Sequence, residues 1–376
     1  MDVIHSYGVE STRYLQENYA ETQDWFLFVS SAADLRTTFL ILFPLLFHLQ
    51  PATGVRLVWV AVLGDWINLV SKWLLFGERP YWWVQETSYY GNSTVPQLRQ
   101  FPMTCETGPG SPSGHAMGSA GVYYALVTAV LNSSQRHCSS PTQSRCVKAA
   151  MWTVFWVVQV CVCLSRVFIG AHFPHQVVSG VALGVVVAEG LNRASWIHHV
   201  SFRGYARLTL FLLSFALGLY VLLGSVAVDL LWSLAKAHRW CVTEAWVRLE
   251  TTPFASLLRN TGVLFGLGTA LHLPTLDIKK AAVVVGEGEG STTAACFGGR
   301  IARAPFRLIC AVAAILLLHV LDTFGPPVHN RSLFYLLSFC KSATVPLTTV
   351  VVVPYFAGRA VNAVTKRGNC VYRLFE

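Results

Sequence analysis

Residues 55–80 read VRLVWVAVLGDWINLVSKWLLFGERP, and this stretch decides the fold. Between Arg56 and Glu78 only Asp65 and Lys72 carry charge, so more than twenty residues run almost uninterrupted in apolar side chains. About 20 such residues span the hydrocarbon of a bilayer as a helix. The run then stops at Gly77, Glu78, Arg79 and Pro80, placing two cationic residues, Lys72 and Arg79, at one membrane face.

The rest of the 376 residues repeats the pattern. Hydrophobic residues make up 53% of the chain and charged residues only 12%, about half the charged fraction of a soluble domain; mean hydropathy is +0.48. Spans are predicted near 27–49, 55–77, 115–132, 148–168, 177–192, 206–228, 254–273, 306–323 and 333–357. The expectation is an all-α polytopic membrane protein with nine transmembrane helices and one integral membrane domain over 1–376. Its site core falls at about 55–192, further spans at about 206–357, and a tail at 358–376. The net charge of +9 does not point to nucleic acid, because the basic residues gather between spans as topology alone would arrange them. No cleavable leader is expected: the first 25 residues are polar and acidic, with no basic segment ahead of an apolar one.

Orientation follows from the loops. Arg56, then Arg136, Arg145 and Lys148, then Arg193, Arg203 and Arg207, then Lys279, Lys280, Arg300, Arg303 and Arg307 lie on one side. That richer set is predicted cytoplasmic, which puts the N-terminus outside the cytoplasm and the C-terminus within it. The sequon Asn92-Ser93-Thr94 then lies on the non-cytoplasmic side, where N-glycosylation occurs. Cys105 and Cys241 fall in loops on that same side and are candidates for a disulfide; the other cysteines show no metal-ligand spacing.

Three short pieces converge on the non-cytoplasmic face: Lys72 with Arg79-Pro80, Pro112-Ser113-Gly114-His115 opening the third span, and Ser165-Arg166 with His172 between the fourth and fifth. The chemistry they suggest is phosphoryl transfer. Arg79 and Arg166 can each grip phosphoryl oxygens with a planar fork, and Lys72 adds a compact charge. Pro80 disfavours helix at Arg79, so that side chain should project from the helix end. Ser113 and Gly114 precede a helix, where free amides make an anion site. One neutral imidazole can attack phosphorus while the other protonates the leaving oxygen; spacing alone leaves the division between His115 and His172 open, with His175 a third candidate.

Lys72-x6-Arg79-Pro80, Pro112-Ser113-Gly114-His115 and Ser165-Arg166-x5-His172 together resemble the signature of the type 2 phosphatidic acid phosphatase superfamily, which includes vanadium haloperoxidases. QFPMTCETGPGSPSGHAMG, AHFPHQVV, ETTPFASLLRN and FYLLSFCKSA, with the opening stretch, are similar to the glucose-6-phosphatase catalytic subunits over nearly the whole chain. The resemblance implies metal-independent and cofactor-free hydrolysis of glucose-6-phosphate through a phosphohistidine, at the luminal face of the endoplasmic reticulum membrane. It implies His172 as nucleophile, His115 as proton donor, and Lys72, Arg79, Ser113, Gly114 and Arg166 as phosphate-binding residues, with Asn92 glycosylated. Membrane lipids and a glucose-6-phosphate transporter are the other partners it implies. Alternatives are a lipid-phosphate phosphatase, or a weakly active relative that binds sugar phosphate.

The sequence departs from the superfamily in two places. Gln176 stands where its third motif often has Asp, so Gln176, Asp34 or Asp65 is left to orient His172, and the YRLFE tail lacks a dilysine retrieval signal. Asp65 shares a helix face with Asn68 and Lys72, either paired with Lys72 or lining a sugar pocket. Asp322, Lys341 and His319 are expected to form a structural ion pair, with substrate contact the alternative. Trp73, Tyr81, Trp82, Trp83, Tyr89 and Tyr90 are expected mostly as interfacial belt residues.

Overall fold

A computed structural model describes residues 1–91, 93–134, 140–273, 299–325 and 330–361, with 299–304 as backbone alone. Asn92, and with it the glycosylation expectation, lies outside the described residues, as do 362–376 of the tail. The described residues are helical and contain no strand.

Helix α1 (Asp2–Asn18) precedes α2 (Gln23–Ala32) and α3 (Leu35–Leu49), which are bent by 55° at the break between them. The break has a local cause. Asp34 sits in extended backbone at φ −69° and ψ 143°, and its carboxylate accepts from the Arg36 amide at 2.7 Å, the bond of an N-cap. Then come α4 (Pro51–Leu75), the short α5 (Pro80–Glu86), α6 (Gly114–Ser134), α7 (Pro141–Phe168), α8 (Pro174–Arg193) and α9 (Phe202–Ser225). A short α10 (Trp232–Trp240), α11 (Pro253–His272), α12 (Gly299–Thr323) and α13 (Arg331–Val361) complete the chain.

Six of the described helical segments are long and apolar enough to cross a membrane, or seven if the bent α2–α3 pair is one span. Every interval read from sequence as a span is helical over most of its length, though 27–49 is broken at 33–34. Two of them, α6 and α11, fall outside that group, so the count of nine is not confirmed. The reason is where they sit. Both pack against other helices, and their buried faces mix Gly, Ala, Ser, Thr and Asn among the aliphatics, which lowers their hydropathy. The α4 window is 67% buried, against 17% for α7 and for α9. Helix α4 is therefore central, and α7 and α9 present apolar side chains outward.

Close packing of α6 on α8 sets the site's floor. A Cβ on Gly180 would stand 2.6 Å from the Ser113 carbonyl, and one on Gly184 would collide with that of Met117; small residues four apart let two backbones approach this way. Above the bundle, the 87–113 segment is tied down by a disulfide between Cys105 and Cys241, as the loop placement suggested. Helix α1 braces the turn after α7, with Gln16 Nε2 donating to the Phe168 carbonyl at 2.6 Å and to that of Arg99 at 3.0 Å.

The aromatic residues correct one expectation. Trp73, Tyr81, Trp82 and Trp83 are buried rather than spread along a membrane interface: α5 folds back and packs Tyr81, Trp82 and Trp83 near α10 and Phe173, while Trp73 of α4 packs against Tyr220 and Phe254. Only Tyr89 of the set is exposed. Of the expected trio two residues pair, Lys341 Nζ lying 3.0 Å from Asp322 Oδ1 with Arg36 joining the same carboxylate, while the exposed His319 makes no ion pair among the described residues.

Candidate active site

The site is built from the ends of α4, α6 and α7 and the turn before α8. Pro80 sits at the first position of α5, which bars helix at Arg79 and leaves it extended at φ −119° and ψ 149°. Its side chain, fully buried, turns inward. Nε donates to the Gly108 carbonyl at 2.8 Å, Nη1 to Ala171 at 3.1 Å and Nη2 to Pro109 at 3.3 Å. Arg166 closes α7, is equally buried, and donates from Nη1 to Ser30 Oγ at 2.7 Å. Lys72 approaches from α4, its Nζ within 4.0 Å of where a Cβ on Gly108 or Gly114 would stand.

Two buried guanidinium groups need an anion, and Glu106 supplies it. Its carboxylate lies 3.0 Å from Arg79 Nη1 and is hydrogen-bonded by Arg166 Nη2, while His115 Nδ1 stands 3.4 Å and His172 Nε2 3.7 Å away. Burial pushes this carboxyl's pKa up, but the charges of Arg166 and Arg79 outweigh burial and hold it well below the usual carboxylate range. One carboxylate thus touches both cations and both imidazoles.

His172 lies in the turn between α7 and α8. Its Nδ1 is 2.8 Å from the Gly110 carbonyl. A carbonyl only accepts, so Nδ1 bears the proton and Nε2 turns its lone pair toward the cradle. Burial, with the Arg79 charge adding to it, lowers the His172 pKa to about 3, which keeps the ring neutral. Gly110 is required where it stands, since a Cβ there would collide with the Glu78 carbonyl and lie 2.9 Å from Gln176 Nε2.

The orienting group is therefore a backbone carbonyl, not the carboxylates named from sequence. Asp34 faces the other histidine: Oδ2 is 3.6 Å from His115 Nε2. Asp65 is engaged elsewhere, its Oδ2 accepting from Ser256 Oγ and from Asn260 Nδ2, each at 2.5 Å. Gln176 is buried and braces the turn, accepting the Phe173 amide at 3.1 Å and donating to the Glu78 carbonyl at 2.7 Å; its Oε1 stays 3.4 Å from His172 Nδ1.

Ser113 also differs from expectation. Its amide is taken by the Gln176 carbonyl at 3.0 Å, so it is not free for an anion. The amides of Gly114 and His115 remain at the start of α6, where a helix leaves its first donors without intrahelical partners. Glu106 was not singled out from sequence. The signal was there: it is the one acidic residue of 87–113, the segment joining two of the motifs. The cradle opens into a cavity of about 750 Å³ lined by Lys72, Glu106 and His115 and reaching Asp65, Asn260 and Lys341.

The PAP2 superfamily profile matches residues 53–199, which hold Lys72, Arg79, Glu106, His115, Arg166 and His172. Over the full length the chain is 50% identical to glucose-6-phosphatase catalytic subunit 1 of Felis catus, covering 98% of each protein. It is 51% identical to the same-named protein of Mus musculus, again over 98% of each. The chain belongs to the glucose-6-phosphatase family. Glucose-6-phosphatase 2 of Homo sapiens is 45% identical, over 94% of this chain and 96% of that protein. No solved structure matches. The superfamily match begins after Asp34 and ends before Ser256 and Asn260, so these parts of a glucose-6-phosphatase come from outside the shared phosphatase core.

Proposed function

We propose that this chain hydrolyses glucose-6-phosphate to glucose and inorganic phosphate through a phosphohistidine on His172. The relatives' names supply the substrate. The observation that carries the mechanism is the His172 Nε2 lone pair facing an anion that Arg79 and Arg166 already hold.

In the first step Nε2 attacks phosphorus, the bond from phosphorus to the sugar oxygen breaks, and His115 gives that oxygen a proton. In the second step His115 takes a proton from water, which displaces His172 from phosphorus and releases phosphate. Arg79, Arg166, Lys72 and the Gly114 and His115 amides stabilise charge spread over the equatorial oxygens. Nine spans, an endoplasmic reticulum membrane, a luminal N-terminus and site, and a cytoplasmic C-terminus complete the reading, with 1–376 as one domain. A glucose-6-phosphate transporter and membrane lipids are its proposed partners.

Glucose-6-phosphate and phosphatidic acid offered to microsomes, before and after permeabilisation, test the reading. Glucose-6-phosphate should be the preferred substrate, with latency relieved by permeabilisation. Preference for the lipid would replace this reading with a lipid phosphatase.

On the same reading Glu106 is the resting occupant of the phosphoryl position, and substrate displaces its side chain. Glu106→Gln removes a competing charge from the cradle. Inorganic phosphate should then inhibit about tenfold more strongly, the size of one charge-assisted hydrogen bond. An inhibition constant equal to that of the wild type would show that Glu106 does not compete with phosphate.

A further inference from the structure

We infer that Asp65, with Ser256 and Asn260, forms the subsite that reads the hydroxyl groups of the hexose; this rests on the reaction proposed above.

Asp65 lies on α4 seven residues before Lys72, about 10 Å along the axis at 1.5 Å per residue. Both line the same cavity, so the separation suits a sugar whose phosphoryl group sits beside Lys72. A carboxylate inside a membrane-spanning helix is costly unless it meets a partner or a cavity. Asp65 has both, and its partners are neutral. Ser256 Oγ and Asn260 Nδ2 donate to Oδ2 at 2.5 Å each, and among the described residues none bonds Oδ1. Helix α11 sets this up by placing the two donors four residues apart, one turn, so that both reach one oxygen. Asn260 is also 3.3 Å from Ser256 Oγ, which fixes the trio.

The chemistry of this end differs from that of the cradle. A phosphoryl group calls for cations, whereas each sugar hydroxyl is both donor and acceptor. A carboxylate with one oxygen free accepts from hydroxyls, and among the described residues no cation forms an ion pair with it; its direct partners are the neutral Ser256 and Asn260. Such a floor disfavours an acyl chain, because a buried polar group without a hydrogen-bonding ligand is costly. It therefore separates a sugar phosphate from a lipid phosphate at a point the phosphate-binding residues cannot.

The test compares kcat/KM for glucose-6-phosphate with that for an aryl phosphate, which has no hydroxyls, in full-length Asp65→Asn in permeabilised membranes. The ratio should fall about 10–100-fold, the size of one or two hydrogen bonds to a charged group. Discrimination against 2-, 3- and 4-deoxyglucose-6-phosphate should shrink in the variant for whichever hydroxyl Asp65 meets. A ratio within about twofold of the wild type, whether both activities fall or neither does, overturns the assignment. Should Asp65→Asn fail to fold, Ser256→Ala read by the same ratio decides, with a smaller drop expected and an unchanged ratio again contrary. A wild type that hydrolyses the aryl phosphate but not glucose-6-phosphate would instead defeat the substrate reading itself.

Discussion

Replacing His172 with alanine is expected to lower kcat for glucose-6-phosphate by about 10⁴–10⁶-fold, the range seen when members of a nucleophilic unit are removed. No other described group matches it. The ring is fully buried, its Nδ1 proton is committed to the Gly110 carbonyl at 2.8 Å, and Nε2 alone faces the cradle. His175, the third imidazole considered from sequence, stacks on Phe173 and His5 and has no contact with Glu106 or the arginines. The pH dependence follows from the same burial. A histidine whose pKa is lowered to about 3 is neutral, and so nucleophilic, at every pH above that value. An acid limb in kcat/KM with a midpoint near that of free histidine then belongs to another group. Steady-state rates of purified His172→Ala, with its Cys105–Cys241 disulfide verified, check the loss; activity within about tenfold of the wild type would be incompatible with covalent catalysis at this residue.

Arg79→Lys should be the next most damaging change, costing about 10²–10³-fold in kcat, as loss of a preorganised donor to developing charge does. Charge is kept in this variant, but geometry is not. Arg79 uses three nitrogens to hold Gly108, Pro109 and Ala171 while presenting Nη1 to the anion, 3.0 Å from Glu106. A lysine offers one nitrogen in place of a fork. Buried carbonyls left without donors cost about 1–3 kcal/mol each, so the thermal midpoint should fall as well. Because Gly108 and Gly110 belong to one short segment, loosening the first also disturbs the carbonyl that orients His172. Kinetics at saturating substrate, together with thermal unfolding in detergent, separate the two effects. A kcat near that of the wild type would mean that the fork does not act on the transition state.

Sequence made much of this legible for a physical reason. Lys72, Arg79, His115, Arg166 and His172 are chemically expensive at helix ends in a membrane, so their presence and spacing carry information. The apolar runs were equally plain, but the break at 33–34 inside the span read at 27–49 was not, because it depends on Asp34 capping the helix that follows. What stayed hidden depends on backbone. The group that orients His172 is the Gly110 carbonyl, which no side-chain pattern reports, and Ser113 loses its amide to the Gln176 carbonyl only once α6 meets α8. Tryptophans near a span end usually mark the interface; here a seven-residue helix, Pro80–Glu86, turns them inward. Helices α6 and α11 read as spans, yet their buried small and polar faces lower their apolarity below that of their lipid-facing neighbours. Glu106 was missed because a lone glutamate in a loop says nothing until two arginines are seen to close on it.

Rapid acid- or base-quench of the enzyme with glucose-6-phosphate labelled at phosphorus measures the central step directly. The wild type should yield a protein-bound phosphate that is stable in base, labile in acid and absent from His172→Ala. Labelled protein recovered equally from that variant, or from neither protein under single-turnover conditions while product forms, would contradict attack by His172.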